Sequence, residues 1–197
     1  MKTSLFTLIL PLLIASCNVL QPVKDASVNH LLEPTIPMRT ITGASPAVAI
    51  ARPALPGYLD RPQLVLRTDG ELKINPYQLW AEPLDTGISR VTAQNLSRLK
   101  NSLNIQPVES FITLDYQSLL EIRISRFEPD SSGRVYLDCT WKLQSTVDKR
   151  LANTRSFSTS VVMPDATTGT SPASPPGQTA AMNEALARLA REIARSL

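Results

Sequence analysis

Apolar and polar positions recur with two different periods along this chain, and the change of period divides it into elements. In "LLEIRISRF" (Leu119–Phe127), Leu120, Ile122 and Ile124 fall on one side and Glu121, Arg123 and Ser125 on the other. That period of two belongs to a half-buried strand. "VYLDCTWKL" (Val135–Leu143) repeats it, with Val135, Leu137, Cys139, Trp141 and Leu143 on the apolar side. The turn residues "PDSSG" (Pro129–Gly133) lie between the two runs, so they are expected to fold back on one another. "SFSTSVVM" (Ser156–Met163) then completes a meander. Upstream, "AVAIARPALP" (Ala47–Pro56) reads as an apolar strand ended by its prolines. Gln63–Arg67 and Glu71–Asn75 flank an Asp69-Gly70 pair, a hairpin signal. Gln63–Arg67 is a candidate edge strand, open to a partner strand or a neighbouring subunit. A first strand is expected near His30–Leu32.

Elsewhere the period lengthens. Ile88, Thr92, Leu96, Leu99 and Leu103 recur at steps of three and four, which predicts a helix over Asp85–Leu103. Pro83 cannot sit in a helix interior, so Asp85 or Thr86 is the expected N-cap. Tyr77 and Trp80, just before it, read as core or staple residues. Met182, Leu186, Leu189 and Ile193 predict a second helix over Thr179–Ser196, with arginines gathering towards its C-terminal end. The segment before it, Pro164–Gln178, is small, polar and turn-forming, and reads as a flexible loop. Two amphipathic helices on a largely antiparallel or mixed sheet make an α+β fold.

The N-terminus follows neither period. "LFTLILPLLIASCN" (Leu5–Asn18) is apolar behind Lys2, too short to span a bilayer and interrupted by Pro11. Ile14-Ala15-Ser16-Cys17 sets an aliphatic residue and two small ones before a cysteine, the geometry of a bacterial lipoprotein cleavage site. Cys17 is therefore the expected mature N-terminus and lipid attachment point. Residues 1–16 read as signal peptide, 17–46 as anchor, tether and first strand, and 47–197 as one globular domain. With Cys17 acylated, Cys139 has no partner for a disulfide. On the apolar side of its strand it reads as a small buried hydrophobe.

Composition narrows the chemistry. Net charge is only +3 and 5% of residues are aromatic, so neither a basic face nor a stacking platform for nucleic acid is indicated. The single histidine, His30, lies near the tether, leaving nothing else for an imidazole-based nucleophile or a metal site. None of the seven glycines precedes Lys-Ser or Lys-Thr, so no Walker-type phosphate loop is present. Glu82 and Asp85 fall at a helix start, where they favour the dipole. No catalytic residue, metal ligand or cofactor site is assigned. A lipid-anchored hydrolase rests only on scattered acids and serines.

"PGYLDRPQLVLR" and "YQLWAEPLDTGISRVTAQNL" add a resemblance. With "HLLEP", the Cys139 strand and the closing "MNEALARLAREIA", they make the chain similar to the PqiC-like auxiliary lipoproteins of ABC-type transport systems. One departure is Asn29-His30, where that family often carries an aromatic pair. The resemblance implies an accessory subunit of an MCE-type lipid transporter that supports envelope integrity. It would be lipid-anchored to the outer membrane and face the periplasm, and Asn18, not Asp, after Cys17 fits that destination. Its implied partner is the periplasmic MCE subunit, with the membrane reached through the N-terminal lipid. Phospholipid and further copies of the chain are additional partners such a role allows. Tyr58, Leu59, Asp60 and Arg61 have two readings: a docking surface, because exposed Tyr and Arg favour interfaces, or a rigid entry turn to the following strand. The lipobox alone supports a broader alternative, an outer-membrane assembly or pilotin-like lipoprotein.

Overall fold

A computed structural model describes residues 25–38, 47–110, 116–148, 153–164 and 175–197. Two sheets and two helices account for both sequence periods. In chain order the elements are β1 (Val28–His30), β2 (Val48–Ile50), β3 (Gln63–Thr68), β4 (Glu71–Trp80), α1 (Leu84–Lys100), β5 (Ile105–Pro107), a 3-10 turn (Val108–Ser110), β6 (Ser118–Pro129), β7 (Arg134–Ser145), β8 (Arg155–Val162) and α2 (Pro175–Ala194). A three-stranded sheet has the order β1-β4-β3 and a five-stranded sheet the order β5-β2-β6-β7-β8. The meander β6-β7-β8 is antiparallel, whereas β2 runs parallel to both β5 and β6, and β1 parallel to β4. The fold is α+β with mixed sheets.

The core lies between the large sheet and the helices. Leu120, Ile122, Ile124, Leu137, Cys139 and Trp141 pack there with Ile88, Leu96, Met182, Leu186, Leu189 and Ile193. Strict alternation along β6 would next turn Arg126 and Glu128 inward. A bulge at Ser125 reverses the phase: Ile124 pairs with Cys139 but Arg126 pairs with Asp138. Phe127 therefore enters the core opposite Leu137, and Glu128 turns to the other face opposite Tyr136.

Several boundaries differ from the sequence expectation. The Asp69-Gly70 hairpin forms, with positive φ at both residues as a type I′ turn requires. However, β4 continues to Trp80, because β1 supplies a second partner along Gln78–Trp80. Trp80 is core, whereas Tyr77 is 57% exposed, on an irregular stretch that begins where Asn75 Oδ1 accepts the Tyr77 N–H. The Ala47–Pro56 strand shrinks to Val48–Ile50 plus an isolated bridge at Ala54. β1 lies at Val28–His30, slightly upstream of the expected His30–Leu32. Helix α1 starts at Leu84 behind Pro83 with no side-chain cap; Asp85 sits in its first turn and takes the Thr86 N–H. It stops early because Asn101 adopts the left-handed conformation, leaving Leu103 63% exposed. Helix α2 starts at Pro175, so residues 175–178 of the expected loop are helical; Pro needs no N–H donor in a first turn. The rest of that loop beyond Pro164, like Cys17, lies outside the described residues.

The segment following β1 belongs to the fold. Leu32 and Ile36 are buried, and four side chains hold the backbone around them across both helices. Asn183 accepts the Glu33 N–H at 2.9 Å and Asn95 the Ile36 N–H at 3.2 Å. Arg90 donates to the Leu32 carbonyl at 2.8 Å and Arg98 to the Ile36 carbonyl at 2.6 Å. Helix α1 offers Gly87 beneath this strap, where a Cβ would come within 3.4 Å of Leu32 Cδ1.

Candidate functional site

Three stretches singled out in the sequence, "HLLEP", "PGYLDRP" and "WAEPL", converge at the start of α1. The Trp80 N–H donates to the Pro62 carbonyl at 2.6 Å and the Ala81 N–H to the His30 carbonyl at 2.8 Å. Arg90 reaches back to Glu82 at 2.5 Å, so Glu82, at the helix start as expected, is also an ion-pair partner. Between the two later stretches runs a groove of about 360 Å³, lined by Asp60, Arg61, Pro62 and the run from Trp80 to Leu84. Two of these sequence motifs thus form one surface feature, although residues 63–79 separate them in the chain.

The four candidate docking residues play unequal parts in this surface. Leu59 is only 3% exposed and packs in the core. Tyr58 is half-buried and its hydroxyl donates to Glu128 Oε2 at 2.8 Å. Asp60 is exposed, and Arg61 is half-buried with its Nε in the interior and without a hydrogen-bond partner. Asp60 and Arg61 are therefore the pair offered to the groove, while Tyr58 and Leu59 hold the loop down. β3, the candidate edge strand, does stand at the edge of its sheet, joined to the larger one by an isolated bridge between Arg67 and Asp130.

Glu128 is the anchor behind this loop, and single-residue reasoning missed it. Its side chain is 1% exposed yet charged, and it accepts from four donors. They are the Tyr58 hydroxyl, Arg67 Nε at 2.7 Å, Arg126 Nε at 3.2 Å and the Phe127 N–H at 3.0 Å. The guanidinium of Arg67 lies 5.5 Å from the Tyr58 ring centroid, and that of Arg126 lies 3.9 Å from the Tyr136 centroid. A buried carboxylate is tolerable only with its acceptor sites filled in this way. Burial and the hydrogen bond to Glu128 push the Tyr58 hydroxyl up to about 12. One signal for the hub was present: Phe127 falls out of phase with Leu120, Ile122 and Ile124, as a bulge would require.

His30 sits in β1 with Nε2 at 2.5 Å from Gln78 Oε1, a partly buried pair on the sheet. Cys139 is free and buried, and burial, with the Asp138 carboxylate adding to it, pushes the thiol up to about 12. Among the described residues no helix is long and apolar enough to cross a membrane. Nor, among the described residues, do three His, Cys, Asp or Glu side chains gather as a metal would require.

A profile of the family described as ABC-type transport auxiliary lipoprotein component matches residues 30–194. The chain belongs to that family. The match begins at His30, so it takes in the strap as well as the sheets and helices. A crystal structure of an uncharacterized protein is 19% identical and superposes with a TM-score of 0.66, over 86% of this chain and 97% of the other. A protein from Xanthomonas campestris, of the family termed DUF330, is 20% identical with a TM-score of 0.59, over 84% of this chain and 92% of that one. These likenesses establish the shared fold. No curated protein matches the chain.

Proposed function

We propose that this auxiliary lipoprotein is a non-catalytic adaptor of an ABC/MCE-type lipid transport system, attached to the outer membrane through Cys17 and facing the periplasm. The observation that carries the reading is the family match over residues 30–194, behind a lipoprotein cleavage pattern at Ile14–Cys17. The convergence of two motif stretches on one groove, with the third bonded behind it, supports the adaptor part, since a subunit without catalytic groups acts through its contacts. Its partner is the periplasmic MCE subunit, met at Asp60, Arg61 and the segment from Trp80 to Leu84. Tyr58 and Leu59 serve the same surface from beneath by fixing the loop.

The test couples capture to stability. The wild-type chain is expected to capture the periplasmic part of the MCE subunit, and Asp60→Ala with Arg61→Ala to weaken capture at an unchanged melting temperature. Full capture by the stable double variant would move the interface elsewhere. No capture by the wild type would remove the adaptor reading. Separately, Cys17→Ser is expected to release the folded chain from membranes, because attachment at this end depends on acyl chains worth about 0.8 kcal/mol per buried methylene. A folded variant that still fractionates wholly with membranes would refute lipidation at Cys17.

A further inference from the structure

The β3–β4 hairpin carries apolar side chains that the core does not use. Leu72 and Ile74 share one face of β4 and are 37% and 44% exposed, and Tyr77 on the irregular stretch is 57% exposed. Val28, 48% exposed, is the register partner of Gln78, and Gln78 lines the same groove as Ile74, Pro76 and Pro175. Leu31, just past the end of β1, is 43% exposed. Every residue of β4 from Glu71 to Tyr77 is exposed, so this half of the strand lies largely outside the core of the described residues. Apolar side chains clustered in this way mark a contact surface, whereas scattered ones do not.

What lies against the patch follows from where the chain leaves the fold. Val28 is both part of the patch and the first residue of β1. Ten residues separate it from Cys17, and even fully extended this linkage reaches about 40 Å. A folded unit of this length has a radius of gyration of about 16 Å, so the leash is no longer than the domain is wide. An acylated Cys17 therefore keeps Val28 within about one domain width of the bilayer, close enough for the exposed apolar side chains near it to reach the surface. A patch of this size would not hold a free protein on a membrane, but tethering makes the second contact intramolecular. The side chains suit that setting, since Tyr77 belongs to the types that place an apolar body in lipid and a polar tip in water.

We infer that the β3–β4 hairpin, with Val28 and Leu31, rests on the phospholipid surface to which Cys17 is anchored. The contact sets the face of the domain turned to the membrane. The inference rests on lipidation at Cys17, so its test separates the two. The full lipidated chain, in a Cys139→Ala background, is labelled with an environment-sensitive fluorophore at Tyr77→Cys, at Ile74→Cys or, as a control, at Thr140→Cys on the exposed face of the large sheet. Each is reconstituted in phosphatidylethanolamine–phosphatidylglycerol vesicles containing a doxyl-labelled lipid.

The labels at positions 74 and 77 are expected to shift to the blue and lose most of their emission to the doxyl group, while the label at 140 keeps its own. Chain that fails to float with the vesicles would refute the lipid anchor itself. Chain that floats with unquenched labels at 74 and 77 would overturn the hairpin contact alone. The same result with disulfide-linked pairs of Tyr77→Cys would assign the patch to a second copy of the chain. Leu72→Ser with Ile74→Ser should leave flotation and melting unchanged and abolish quenching at 77; retained quenching would also overturn the inference.

Discussion

Replacing Glu128 by alanine tests whether the buried hub ties the Tyr58–Pro62 loop and β3 to the large sheet. The substitution leaves two guanidinium groups and a phenol without their shared acceptor. Breaking a buried ion pair by removing one partner costs about 3–5 kcal/mol. Here the arginine side chains are 32% and 27% exposed, so both can turn partly to water, and the lower end applies. The expected loss is about 3 kcal/mol, which for a chain of this size lowers Tm by about 6–12 °C. Glu128→Gln keeps the shape and removes the charge, and is expected to cost about 2 kcal/mol, in the range of a charged hydrogen bond. Urea unfolding at neutral pH measures both. A surface control, Glu184→Ala, breaks the pairs to Arg188 and Arg191 on α2 and should cost well under about 1 kcal/mol. If Glu128→Ala unfolds within about 0.5 kcal/mol of wild type, the hub does not hold the two sheets together.

Three further outcomes are expected. Cys139 should resist thiol reagents in the native protein and react fully in urea, because a thiol pushed up to about 12 and buried offers almost no thiolate; Cys139→Ala should cost about 1 kcal/mol. Tyr58 titrates above its unfolded value, so its contribution is whole below about pH 10 and is lost as the pH rises towards about 12; wild type should lose Tm relative to Tyr58→Phe across that window, and parallel curves would contradict the assignment. Asn95→Ala should speed hydrogen exchange at the Ile36 amide while changing global stability by less than about 1 kcal/mol, since Asn95 Nδ2 is itself buried without a partner; unchanged exchange would mean the strap does not depend on that bond.

Local chemistry carried much of this protein in its sequence. Period two determined β6 as far as its bulge and all of β7, because each residue of a half-buried strand answers to one face, and β8 followed as the next strand of the meander. Asp69-Gly70 determined the hairpin, because both positions need positive φ. The 3.6-residue stripes determined the two helices, and the alternating Cys139 was legible as core for the same reason. What stayed hidden depended on partners distant in the chain. The length of β4 was set by β1, some fifty residues upstream, and the β5–β2–β6 parallel pairing has no local signature. The strap from Glu33 to Ile36 is polar and proline-bearing and reads as tether, until Asn95, Asn183, Arg90 and Arg98 supply the bonds its backbone lacks. The division of the Tyr58–Arg61 loop into anchors and presented residues was likewise decided in three dimensions. Whether a tyrosine is a contact or a support depends on Glu128, seventy residues away, and the bulge at Ser125 aims that carboxylate at it.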